Sequence, residues 1–123
     1  MCEKSRLNIF VAIAGLVLGS LTALADESNM DSEIDYLLDT VVSSDCVFIR
    51  NGSEHEAEAA RDHLQMKRKR GKRYFSSAEE FIEKIASKSS WTGKDYLIQC
   101  GSEPQQKAQA WFMSVLNLFR QDK

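Results

Sequence analysis

Apolar positions recur along this chain with two periods, and the changes between them mark its elements. From Ser32, Ile34, Leu37, Leu38 and Val41 fall at i, i+3, i+4 and i+7, with acids in the first turn where they complement a helix dipole. Ser43-Ser44-Asp45 ends that helix. Cys46-Val47-Phe48-Ile49-Arg50 is β-branched and aromatic and runs into Asn51-Gly52, a turn signal, so it reads as a short strand. Ser53-Glu54-His55-Glu56 fits a capping box that opens a second helix, with a thin stripe of Ala57, Ala60 and Leu64 and a stop at Gly71. Ser77-Ala78-Glu79-Glu80 repeats the box, and Phe81, Ile82, Ile85 and Ala86 give the third helix its buried side. After the serine-rich loop Ser87 to Asp95, Tyr96-Leu97-Ile98-Gln99-Cys100 is a second strand bounded by Gly101. Ser102-Glu103-Pro104-Gln105 is a third capping box. It leads into a final helix in which Ala108, Trp111, Phe112, Val115, Leu116 and Phe119 share one face.

The order α-β-α-α-β-α predicts a small α+β domain over 33–121, mostly helical, with two short antiparallel strands. Residues 26–32 read as a flexible leader. The segment before it has a different character. Lys4 and Arg6 precede an unbroken apolar run from Ile9 to Leu18, and Ala23-Leu24-Ala25 supplies the small-x-small site that a signal peptidase cuts. As a membrane anchor, the 17 residues from Ile9 to Ala25 stand at the short limit for a bilayer. The pattern therefore predicts a cleaved signal over 1–25 and an exported chain with no transmembrane segment afterwards.

Cleavage leaves 98 residues and two cysteines, Cys46 and Cys100. So small a domain has a thin stability margin, and an even cysteine pair in an oxidising compartment predicts a disulfide. The two cysteines sit at opposite ends of the two strands, so antiparallel pairing would bring them side by side.

The mature net charge of −3 conceals an asymmetry: Asp26 to Asp62 carries −9, Lys67 to Arg73 carries +6, and the remainder is neutral. Lys67, Arg68, Lys69, Arg70, Lys72 and Arg73 are candidate anion-binding residues for lipid headgroups, acidic polysaccharide or phosphate. The competing reading is a solvated helix end whose cations offset the helix dipole and pair with Glu79, Glu80 or the acidic first half. Nucleic acid is a poor fit, because no aromatic residues interleave the run.

Reaction machinery is sparse. His55 and His63 stand eight apart, wrong for an i, i+4 metal pair, and neither cysteine belongs to a C-x-x-C pair. There is no H-E-x-x-H, G-x-S-x-G or phosphate-loop motif. No metal, cofactor or catalytic residue is assigned. A small hydrolase using His63 and Ser87, Ser89 or Ser90 is the enzymatic alternative to a non-enzymatic binding or interaction module.

Phe48-Ile49-Arg50-Asn51-Gly52, Ala60-x-x-His63-Leu64-x-x-Lys67, Phe81-Ile82-x-x-Ile85-Ala86-Ser87-x-Ser89-Ser90, Thr92-Gly93-Lys94-x-Tyr96 and Ala108-Gln109-Ala110-Trp111 follow one another in a distinctive order. Together they resemble the YfeK-like family of small exported bacterial proteins, a domain of unknown function, over nearly all of Glu33 to Arg120. The resemblance implies a Gram-negative source and a periplasmic home; the expected partner is an unidentified periplasmic protein or envelope component. It brings no activity, substrate or cofactor. Arg50, Asn51, His63, Lys67, Ser87, Ser89, Ser90, Thr92, Lys94 and Tyr96 are the polar residues in or beside turns and strand ends, where a rigid scaffold usually carries its binding groups. They are the candidate binding residues.

Overall fold

The computed structural model describes residues 29–122. The signal segment 1–25 lies outside the described residues. Helix α1 covers 29–44, so it is already formed three residues upstream of Ser32, within the stretch read as leader. There follow β1 (Val47–Arg50), β2 (Ser53–His55), α2 (Ala57–Arg70), a 3-10 turn (Lys72–Tyr74), α3 (Ala78–Lys84), β3 (Leu97–Gln99), β4 (Gln106–Lys107) and α4 (Ala108–Gln121). The result is an α+β domain with more helix than strand.

The two expected strands are the centre of a four-stranded antiparallel sheet of order β2-β1-β3-β4. Each gains a short outer partner, one on the first expected capping box and one just past the third. Ser53-Glu54-His55 pairs with Arg50, Ile49 and Phe48, so it is the returning arm of a hairpin. Asn51 (φ 52°) and Gly52 (φ 81°) form its turn, both left-handed as a two-residue type I′ connection demands. The second helix therefore begins four residues later than Ser53, and its cap residue Glu56 makes no side-chain capping bond. Likewise Gln106–Lys107 pairs with β3, and Lys107 precedes α4 without a capping bond. The tight turn signals favoured strand return over helix entry at both places. The middle box is real: Ser77 Oγ accepts from the Glu80 N–H at 3.1 Å. The Glu80 carboxylate reaches back one residue further than the motif requires, accepting from both the N–H and the hydroxyl of Ser76.

Val47 opposite Gln99 sets the register of the central pair and puts Cys46 across from Cys100. Those cysteines are bonded, with Cα atoms 4.4 Å apart, the spacing of a closely approaching antiparallel pair. Alternation turns Phe48 and Ile98 into the core and leaves Val47, Ile49, Leu97 and Gln99 half-buried. Ile34, Leu37, Leu38 and Val41 of α1, Phe81 and Ile82 of α3, and Phe112, Val115 and Leu116 of α4 join them in a single cluster. Phe112 is fully buried, so truncation to Ala should cost about 3–5 kcal/mol. Arg120 near the end of α4 binds Glu33 of α1 at 2.6 Å and Glu79 of α3 at 2.8 Å, tying three helices together at one edge.

Candidate functional site

Where the core rows run out of apolar residues, they open a cleft. The inward row of β1 passes from Phe48 to Arg50, and that of β3 extends back from Ile98 to Tyr96, since alternate residues share a sheet face. On α2 the buried stripe Ala60 and Leu64 continues at helical spacing into Lys67 and Gly71, with His63 alongside. Each packed row thus ends in a polar tip at one place. The C-terminal half of α2, the 3-10 turn, the end of α3 and the loop 87–95 enclose a cavity of about 710 Å³ there. That is a size suited to a small organic ligand.

The polar tips are linked in order. Lys67 Nζ donates to the Lys88 carbonyl at 2.9 Å and to the Tyr96 hydroxyl at 3.0 Å. An ammonium only donates, so the phenol oxygen accepts there and its own proton is free for His63 Nε2, 3.3 Å away. Arg50 Nη1 stands 2.9 Å from His63 Nδ1 and 3.0 Å from Nε2. A group in the ring plane could not be that near both nitrogens without striking Cε1 between them, so the guanidinium lies against the imidazole face.

The hairpin turn holds the loop. Thr92 donates to Asn51 Oδ1 at 2.6 Å, and Asn51 Nδ2 donates to Ser89 Oγ at 3.3 Å. Ser89 Oγ also accepts the N–H groups of Trp91 and Thr92, at 3.2 and 3.3 Å. The backbone of the loop is pinned while the Trp91 side chain is 97% exposed.

Electrostatics favour anions. Burial first, then Arg50, Lys67 and His55, push His63 down to about 4, so the imidazole is neutral at pH 7. Burial and then Arg50 lower Lys67 to about 8. Burial raises Tyr96, with Arg50 opposing. Of the cations that line the cleft, Lys84 is paired with Glu80 at 2.6 Å. Among the described residues no carboxylate pairs with Arg50, Lys67 or Arg70, and no Asp or Glu lines the cleft.

The structure gathers Arg50, Asn51, His63, Lys67, Ser89, Ser90 and Tyr96 around this cleft. Thr92 stands behind it as the anchor of Asn51. Ser87 is buried with its hydroxyl on the Glu83 carbonyl, and Lys94 is exposed with its N–H on Thr92 Oγ1; neither lines the cleft. Met66, Tyr74, Ile85 and Trp91 complete the wall, and sequence reasoning did not place them there. Trp91 alone carried a signal, a tryptophan in a serine-rich loop with no helical partner spacing. The basic run is divided. Arg68 pairs with Asp31 at 3.2 Å and Asp35 at 2.7 Å on α1, the kind of contact with the acidic first half that the internal-pairing alternative expected of the run as a whole. Lys69, Arg70, Lys72 and Arg73 are exposed and have no carboxylate partner among the described residues. His63 makes no hydrogen bond to a serine among the described residues; its neighbours are Arg50 and Tyr96. Among the same residues no helix is long and apolar enough to cross a membrane.

A helical α+β domain with a cationic cleft beside a disulfide-linked hairpin sheet is thus the class that the fold and site define. Residues 28–120 match the model of a family of unknown function, DUF5329, and the chain belongs to that family. It is 36% identical over 91 residues to the uncharacterized protein YfeK of Salmonella typhimurium (strain LT2), covering 72% of this chain and 75% of the relative. No solved structure matches.

Proposed function

We propose that this chain is a periplasmic, non-enzymatic binding module whose cleft takes a small anionic ligand. The observation that carries this reading is that Arg50, Lys67 and Arg70 line a cavity where, among the described residues, no carboxylate pairs with them and no Asp or Glu contributes to the lining. A charge left without a counter-ion in a partly desolvated site is costly, and an incoming carboxylate or phosphate relieves that cost. The pinned loop and the Lys67–Tyr96–His63 chain hold the donors in place before the ligand arrives, which limits the ordering cost of binding. Support for the periplasm is the signal pattern of residues 1–25 and the oxidised cysteine pair. Calorimetric titration with inorganic phosphate tests the cleft. Saturable binding that weakens with salt and is abolished by Arg50→Ala supports it, and no heat from the intact protein at millimolar phosphate rejects it.

A second reading has its own observation. Lys69 and Arg70 at the end of α2 and Lys72 and Arg73 in the turn beyond it form a cationic tip with no carboxylate partner among the described residues, able to lie on an anionic envelope surface at about 1 kcal/mol per engaged cation.

A further inference from the structure

Four cations, Arg50, Lys67, Arg70 and Lys84, account for only part of the cleft lining; Met66, Tyr74, Ile85 and Trp91 give it an apolar and aromatic wall as well. Trp91 is 97% exposed and Tyr74 56% exposed, and both border the cavity. Tryptophan is among the most heavily buried residues on average, because its large ring is expensive to leave in water. Here its exposure is not the result of a loose segment. Its own N–H is bound to Ser89 Oγ, the following N–H goes to the same oxygen, and the Gly93 N–H is held by the Ser89 carbonyl at 3.0 Å. The loop is built to present a bare indole at the mouth of a cationic cavity.

Resting on the anion-binding reading above, we infer that the cleft takes a ring-bearing organic anion, with its phosphate or carboxylate on Arg50 and Lys67 and its ring against Trp91 and Tyr74. Inorganic anions would fill only the polar end of a cavity of about 710 Å³. The apolar wall of Met66, Ile85 and the two aromatic rings has no function for them. A ring carried on the anion covers that wall, and stacking on an exposed indole tolerates either an aromatic ring or the C–H face of a sugar.

Affinities of the intact protein for phenyl phosphate, glucose 6-phosphate and inorganic phosphate, measured by calorimetry at one ionic strength, test this. At least one ring-bearing phosphate should bind about tenfold more tightly than inorganic phosphate. Trp91→Ala should remove that preference and leave inorganic phosphate unchanged; so exposed a side chain can be removed without loss of packing. Which of the two organic phosphates is preferred identifies the ring as aromatic or saccharide. Equal affinity for all three, or a preference that survives in Trp91→Ala, overturns the inference while leaving the anion site standing. No binding of any of the three overturns both.

Discussion

The Lys67 ammonium sits 3.0 Å from the Tyr96 hydroxyl and 4.8 Å from the centre of the same ring. Those two distances place it off the end of the phenol, along a lone pair, and not above the aromatic face. Its partners are two oxygens without charge, the phenol and the Lys88 carbonyl, and it stands near Arg50 with no counter-ion among the described residues. Burial first, and then the neighbouring Arg50, lower it to about 8.

Lys67 is charged below that value and neutral above it. Phosphate affinity should therefore fall as pH rises through about 8, more than two units below where an ordinary lysine would act. Lys67→Arg keeps the charge at all these pH values, so the step should vanish in that variant. Calorimetric affinities at pH 7, 8 and 9 decide it, and a parallel decline in both proteins would exclude Lys67 as the cause.

His63 supplies a second pH dependence, in stability. Its folded value near 4 lies below the ordinary 6.5, so between the two the unfolded chain binds a proton that the folded chain refuses. Stability is lost as pH falls from about 6.5 through about 4, and this contribution is flat above that window. Allowing for solvent screening of a half-exposed ring, the loss is roughly 1–2 kcal/mol. Other groups titrate in the same range, so the comparison is with His63→Gln. Urea midpoints at pH 7 and pH 4.5 should move less in the variant, and an identical shift in both would refute the assignment.

The Cys46–Cys100 bond closes a loop of 54 residues across the centre of the sheet. Restricting the unfolded chain by a loop of that length is worth about 4 kcal/mol on a chain-entropy account. The double variant Cys46→Ala, Cys100→Ala should lose most of it, lowering the melting temperature by on the order of 20 °C for a domain of this size. Calorimetry of the two proteins checks the figure, and a shift under about 5 °C would mean the sheet register is held without the bond.

Much of this was legible before any coordinates, and the rest was not for reasons that particular residues explain. Helical periodicity located α1 and α4 because both bury a continuous face, and the β-branched and aromatic runs located the central strands, with a cysteine on each consistent with their pairing. Ser53 and Ser102 were misread as helix caps because a serine followed by an acid or amide three residues on is equally good at a hairpin return. Local sequence does not say whether the chain turns back to pair. Arg50, His63, Lys67 and Tyr96 were legible as polar residues out of place on packed rows. Their union in one cleft was not, since it depends on how α2 packs against β1 and on where the loop 87–95 returns. Trp91 and Tyr74 were invisible as a pair, because they stand 17 positions apart with the whole of α3 between them.

The basic run offers the last prediction, because the structure divides its cations: Lys67 and Arg70 line the cleft, Arg68 is paired on α1, and Arg70 with Lys69, Lys72 and Arg73 forms the exposed tip. Arg68 is only 14% exposed at its side chain and spans two carboxylates on α1. Its replacement by Gln removes a network partly shielded from water and should cost about 1 kcal/mol. Lys69, Arg70, Lys72 and Arg73 touch no acid among the described residues, so replacing all four with Gln should leave the urea midpoint within error. If the tip contacts anionic envelope surfaces, that same variant should lose association with vesicles of phosphatidylglycerol. The association in the intact protein should weaken steeply from 50 to 300 mM salt, since a local patch is felt only within a Debye length of about 8–10 Å near physiological salt. Sedimentation with vesicles gives the second readout on the protein used for the first. Vesicle binding that persists in the four-fold Gln variant would place the contact elsewhere. A large fall in its urea midpoint would show that these cations serve the fold after all.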